Sequence, residues 1–512
     1  ISYVQTKLYG LRKLNFFRHL SFHSCYTLGV FLAGLFGALL LTQTDGFFFV
    51  DAFLLANSAF CEAGLSTVSM LVISHDSFIV LATLVFFGNA IMMLIYPLLA
   101  RTYYFQKVLT NITAVDKAVL DEYRLWHEGT VVFMCVLVCY IVFSILVGIL
   151  VLYFALQLHP IEPEMQQRGF SALTIAAFHS LSAFANAGFA LSSSQMEYYG
   201  DNPLFYTTLS VLILLGNTAS PIALRWCMTA LHSFLHAVRH HCTLPGRYIN
   251  IHAVKYVLDN PRRITTNLFS KKETNFLGYV LVAINLVQYV LYLASTLERK
   301  EALAEDGPLR LAAIGTFQTI VTRTAGFQIV NLRTVNQGML VVYALAMYLS
   351  AAPFLTTMYL TEDNVEQVDD SDDDVDDRFR PPMLKRAETQ SIAMNIKNNF
   401  MTKHIYYLLF AVVLLAFSED AILSNRPEDV NLWYILFEVA SAYGTVGLSL
   451  GLPGRSYSLV GAFSPVGKLI ITCVIFLGKH RGLPLPTDAV IDFKFNRLKR
   501  ASRRKAKASL KV

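Results

Sequence analysis

Four short stretches combine residue types and spacing that could handle a bare cation: Glu62-Ala63-Gly64-Leu65, Asn186-Ala187-Gly188-Phe189, Thr324-Ala325-Gly326-Phe327 and Thr445-Val446-Gly447-Leu448. A glycine in a turn can adopt positive φ and keeps a side chain out of the space it faces. Carbonyls turned inward at such a turn can replace the hydration shell of a monovalent cation. The aligned glycines, Gly64, Gly188, Gly326 and Gly447, are 124, 138 and 121 residues apart. Each follows a semi-apolar segment, Asp51 to Cys61, Ser171 to Ala185, Leu309 to Val321 and Asn431 to Tyr443, that is too short to cross a bilayer. Such a segment can enter halfway as a helix and return as extended backbone, provided that backbone is buried or faces water. The carboxyl ends of four such helices would add partial negative charge where a cation would sit.

The elements that would position these turns are membrane spans. The 512 residues are 54% hydrophobic and 15% charged, with a mean hydropathy of +0.47, which excludes a water-soluble protein. Windows long enough to span run over His23 to Gln43, Ser77 to Ala100, Thr130 to Leu156, Leu204 to Leu224, Thr274 to Ser295, Gly338 to Leu360, Lys403 to Phe417 and Pro465 to Gly478. The predicted fold is all-α and integral to the membrane. It comprises four pseudo-repeated membrane-pore-membrane units, hence eight transmembrane helices with four re-entrant pore helices around one pore. The units are 23–101, 130–241, 274–360 and 401–484, with turns at 62–67, 186–191, 324–328 and 445–449. A basic segment 1–22, an acidic linker 361–400 and a basic tail 485–512 complete the chain. Lys and Arg gather before the first span, from Arg225 to Lys272 and from Lys494 to Lys511, so both termini are expected in the cytosol. The run of acids at 369–377 repels itself and reads as disordered. The seven cysteines lack regular spacing and imply no disulfide framework. The sequon Asn111-Ile-Thr113 falls in a loop assigned to the cytosol. Because it opens on Ile1, the sequence reads as trimmed at its amino end.

The stretches Thr322-Arg-Thr-Ala-Gly-Phe327, Ser441-Ala-Tyr-Gly-Thr-Val-Gly-Leu-Ser-Leu-Gly451 and Gly478-Lys-His-Arg-Gly-Leu-Pro484 resemble the Trk/Ktr/HKT superfamily of potassium and sodium transporters, the fungal Trk and plant HKT members above all. The resemblance implies a plasma-membrane, multi-pass homodimer in lipid, with one pore per subunit. Its selectivity filter would be built from Glu62, Ala63, Gly64, Asn186, Ala187, Gly188, Thr324, Ala325, Gly326, Thr445, Val446 and Gly447. Glycine rather than Ser at position 64 favours K+ over Na+ in that comparison. An intramembrane gate would fall at Ser350, Ala351, Ala352 and Pro353, where the proline itself removes a helix hydrogen bond. Lys479 and Arg481 match a basic position near the inner pore. They would set a barrier to cations, pair with an acid on the gate, or anchor the helix end at the headgroups. Glu62 departs from the small or polar residue more common in relatives. It is either an outer cation site or, the reading favoured here, a buried carboxylate paired with a donor such as Arg323.

The expected activity is uptake of K+, or of K+ and Na+, through a channel-like pore driven by the membrane potential. It needs no enzyme chemistry, no cofactor and no metal beyond the transported ion. No nucleic-acid partner is expected, while the acidic linker and basic tail are available to cytosolic regulators. A secondary transporter would share broken helices, but it predicts inverted repeats where this chain has parallel ones. An Na+-permeable HKT-like transporter is the other near alternative. A membrane metalloenzyme, suggested by His232, His236 and His240 on one helical face, is the distant one.

Overall fold

The structure is a computed structural model and describes residues 22–111, 117–159, 161–192, 196–241, 250–297, 308–349, 405–425 and 429–481. Every regular element among the described residues is helical. The principal helices are α1 (Phe22–Asp45), α2 (Phe49–Phe60), α3 (His75–Gly88), α4 (Ile95–Asn111), α5 (Lys117–Leu158), α6 (Ala172–Phe184), α7 (Pro203–Gly216) and α8 (Ser220–His241). They continue with α9 (Ile251–Asp259), α10 (Lys271–Leu297), α11 (Pro308–Thr324), α12 (Gln337–Leu349), α13 (Ile405–Ser418), α14 (Leu432–Gly444) and α15 (Pro465–Arg481).

Helices lie in the described part of every predicted span, but they are not eight continuous rods. Among the described residues three helices, α1, α5 and α10, are long and apolar enough to cross a membrane unbroken. The predicted span Ser77 to Ala100 is α3 and α4, bent by 53°, and Leu204 to Leu224 opens α7 and α8, bent by 81°; counting each pair as one gives up to five. The first break has a local cause. The Asn89 side-chain oxygen accepts from the Ile91 and Met92 N–H groups, so the side chain caps a new helix where the old one stops. The final helix continues through Arg481, three residues beyond its predicted end, and so carries both basic residues inside it. Ser350 to Pro353, the acidic linker and the basic tail lie outside the described residues.

The short helices α2, α6, α11 and α14 contain 12, 13, 17 and 13 residues. At 1.5 Å per residue they extend about 18 to 26 Å, short of a core about 30 Å thick. Polar caps start two of them: Ser171 Oγ accepts from Thr174 N, and Asn431 Oδ1 from Tyr434 N. Glycines let them approach the neighbouring spans. A β-carbon on Gly34 of α1 would overlap Asn57 of α2, one on Gly148 of α5 would overlap Ser180 of α6, and one on Gly315 of α11 would overlap the Tyr292 ring of α10. Small residues at helix crossings are how membrane bundles gain close van der Waals contact where lipid supplies no hydrophobic drive.

Towards its amino end α5 is longer than a single crossing needs. Its 42 residues would extend about 63 Å, twice the hydrocarbon thickness. The extra turns carry a folded cap: Ala253, Val254 and Val257 of α9 are fully buried, and Gly129 of α5 is the residue that lets Val257 close. Arg101 of α4 donates to the Ile264 carbonyl at 2.8 Å and lies 4.7 Å from the Trp126 ring centroid. The basic stretch after Arg225 is therefore ordered structure over part of its length. Of the His row on α8, His236 is exposed and His232 half-buried, and no cluster of three metal-ligating groups occurs among the described residues.

Candidate functional site

The loops that follow α2, α6, α11 and α14 lie against one another. Gly64, Gly188, Gly326 and Gly447 all have positive φ, at 66°, 70°, 64° and 99°. In the first, second and fourth loops the helix closes in one way. An amide just past the helix end, three residues on in the first two loops and two in the fourth, bonds back five residues, Ala63 to Ser58 O, Ala187 to Ser182 O and Val446 to Ser441 O. The residue between adopts left-handed backbone, Glu62 at 60°, Asn186 at 57° and Thr445 at 48°. This is the Schellman closure, which satisfies carbonyls the helix leaves open. The third loop differs, since α11 stays helical through Thr324.

The four glycines stand in cyclic order. A β-carbon on Gly64 would sit within 3.0 Å of the Ala187 carbonyl oxygen, one on Gly188 within 3.0 Å of Ala325 O, one on Gly326 within 3.0 Å of Val446 O, and one on Gly447 within 3.0 Å of Ala63 O. Each loop thus presents the carbonyl preceding its glycine to the glycine of the loop before it, and the fourth returns to the first. No residue with a side chain fits at these positions without displacing backbone. Ala63, Ala187, Ala325 and Val446 are themselves fully buried.

The acid and bases singled out in the sequence lie behind this ring, in an arrangement that corrects two expectations. Glu62 is buried and paired, but with Lys479 rather than Arg323: Lys479 Nζ lies 2.9 Å from Glu62 Oε2 and also donates to Gly88 O at 2.8 Å, while the Ala90 N–H donates to Glu62 Oε1. Lys479 is therefore no headgroup anchor, with its side chain 7% exposed, and its acid belongs to the first loop instead of the gate. Arg481 is buried as well. It donates to Gly444 O at 2.6 Å and to Tyr348 O at 3.4 Å and stacks over the Tyr443 ring at 5.0 Å. It joins the end of α14 to the last described turn of α12, just before Ser350. Arg323 is buried in α11.

Sequence reasoning missed a second set of glycines. A β-carbon on Gly88, Gly216 or Gly478, in the helix that follows each loop, would overlap the carbonyl of Phe60, Phe184 or Tyr443, the residue four before the loop glycine. The signal was present as Gly88-Asn89, Gly216-Asn217 and Gly478-Lys479, with Ser350-Ala351 at the corresponding place in the third unit. Ties between loops were not legible at all. Arg168 donates to Met70 O and Ile73 O at 3.1 and 2.5 Å, joining second unit to first. Met196 N donates to Gln328 O at 2.8 Å, joining second to third, and Gln328 Nε2 donates to Ser449 O at 2.6 Å, joining third to fourth. Arg333 adds bonds to Leu450 O at 2.9 Å and Gly451 O at 2.7 Å.

Comparison with known proteins gives a consistent result. The sequence pattern of the TrkH family, described as a cation transport protein, matches residues 127–499. The low-affinity potassium transport protein of Saccharomyces cerevisiae is 29% identical over 403 residues, covering 72% of this chain and 43% of that protein. Potassium transport protein 1 of Schizosaccharomyces pombe is 30% identical over 323 residues, covering 62% and 35%. The potassium transporter TRK1 of Candida albicans is 27% identical over 370 residues, covering 70% and 32%. This chain spans less than half the length of these relatives. The crystal structure of the potassium transporter TrkH from Vibrio parahaemolyticus superposes with a TM-score of 0.52 at 14% identity, over 92% of this chain and 84% of that one, and so shares the fold.

Proposed function

Since this chain belongs to the TrkH cation transport family, we propose that it takes up K+ across the plasma membrane through a channel-like pore lined by its four glycine loops. The observation that carries this reading is the cyclic order of Gly64, Gly188, Gly326 and Gly447, each set against the carbonyl of the next loop. In this reading the chain is four membrane-pore-membrane units with both termini cytosolic, working as a homodimer with one pore in each subunit. The filter comprises residues 62–64, 186–188, 324–326 and 445–447.

The chemistry is dehydration and coordination. A K+ ion entering the ring exchanges water for carbonyl oxygens, and the carboxyl ends of four helices directed at the same place lower its energy further. An inside-negative potential drives the ion by about 2.3 kcal/mol per 100 mV, enough to hold roughly a fiftyfold concentration ratio without a coupled ion. Ser350 to Pro353 form the gate in this proposal, and Arg481, which donates to Tyr348 O, holds the gate's near end against the fourth loop. Lys479 neutralises Glu62, so that the first loop's acid fixes backbone at Ala90 rather than binding the ion.

The test is a reversal potential under exchanged external Na+ and K+. Gly64→Ser puts a Cβ against the Ala187 carbonyl and on a residue with positive φ, so the K+/Na+ permeability ratio falls. An unchanged ratio in a correctly assembled variant removes Gly64 from selectivity.

A further inference from the structure

Three consecutive residues outside the ring make three different ties. Ser458 exchanges two bonds with Ser66, the second residue past the first loop glycine: Ser66 N donates to Ser458 Oγ at 3.0 Å and Ser458 N to Ser66 O at 3.1 Å. Leu459 N donates at 2.8 Å to the hydroxyl of Ser449, which holds the same place past the fourth loop glycine. Val460 N donates at 3.0 Å to Oε1 of Glu438, in the middle of α14. The next residue, Gly461, comes so close to Thr67 O that a β-carbon there would sit 2.7 Å from it. One turn therefore holds the backbone of Ser66 after the first loop and the hydroxyl of Ser449 after the fourth, and a fully buried carboxyl group holds the turn.

Glu438 has no role in the ring itself, and it forms no ion pair among the described residues. A carboxyl group this deep is retained at a desolvation cost unless its bonds offset that cost. Oε1 accepts the Val460 amide, and the Ser449 hydroxyl lies within electrostatic reach. Oε2 makes no hydrogen bond, so an amide nitrogen in its place loses none.

We propose that Glu438 is a positioning residue for ion selectivity: by fixing the turn at Ser458, Leu459 and Val460 it sets the spacing between the first and fourth glycine loops. The proposal rests on the pore-loop reading above. Removing the acceptor frees the turn, lets Ser66 and Ser449 shift apart, and widens the ring on that side while the second and third loops stay tied through Gln328.

The experiment measures K+/Na+ permeability ratios from reversal potentials of the full chain in proteoliposomes, a readout independent of how much protein folds. Glu438→Ala and Ser458→Ala are each expected to lower the ratio about three- to tenfold, the size of a lost buried hydrogen bond. Glu438→Gln keeps an acceptor for Val460 N and is expected to stay within about twofold of the parent chain. A folded Glu438→Ala protein with the parent ratio overturns the proposal, as does a loss in Glu438→Gln equal to that in Glu438→Ala. If Glu438→Ala does not assemble, Ser458→Ala decides alone, and an unchanged ratio there overturns it. Gly64→Ser is the control. A shift in Gly64→Ser with none in the other two defeats only this proposal, whereas no shift in any of them defeats the pore-loop reading first.

Discussion

Lys479 and Glu62 carry a consequence for stability as well as for the ring they stand behind. Two opposite charges in a buried, bilayer-level site are tolerated because each satisfies the other and both hold backbone, at Gly88 O and Ala90 N. Removing one leaves the other charged and unpaired. Lys479→Met is therefore expected to destabilise the detergent-solubilised protein by about 3 to 5 kcal/mol, while the double change Lys479→Met with Glu62→Gln recovers most of it. Thermal unfolding of the three variants checks this, and a single Lys479→Met variant as stable as its parent would refute the pairing. Glu62 was legible in the sequence as a buried acid in need of a cation. Its partner was not, because Lys479 lies 417 positions away and nothing in either local window names the other.

At the scale of elements, the returning helices of the first, second and fourth units each touch the carboxyl end of their short helix through one glycine. Gly88, Gly216 and Gly478 leave no room for a β-carbon, and the obstruction is a backbone carbonyl that cannot rotate aside. Alanine at any of the three has to push one helix away from the other, so transport is expected to fall at least about tenfold, the effect of displacing a binding geometry by about an ångström. Gly29, on an exposed face of α1 with nothing within 4 Å of a β-carbon, is the matched control, and Gly29→Ala should transport normally. Ion flux into vesicles, normalised to reconstituted protein, measures both. The contacts also bear on which helix can move. Three of the returning helices are held this way, and the third unit has Ser350 at the corresponding place in sequence.

At the scale of the whole molecule, the cyclic ties through Arg168, Met196, Gln328, Arg333 and Ser458 make the loops a closed structure, and Ser350 to Pro353 takes no part in those ties. Shortening Ser350 to Pro353 is accordingly expected to raise flux without altering the K+/Na+ ratio. Reduced flux in a normally folded protein would remove the proposed gate from that position. The sequence by itself determined the membrane class, the places of the helices and the four glycine loops, because hydropathy, chain length and the φ freedom of glycine act within short windows. It passed over the bends after Gly88 and Gly216. Only the tertiary structure decided that the four loops close into one ring, that Glu62 faces Lys479, and that Arg481 bridges α12 and α14. Those are meetings of segments from 37 to 417 residues apart, and the packing of backbone against glycine, which leaves no pattern in any single window, fixes them.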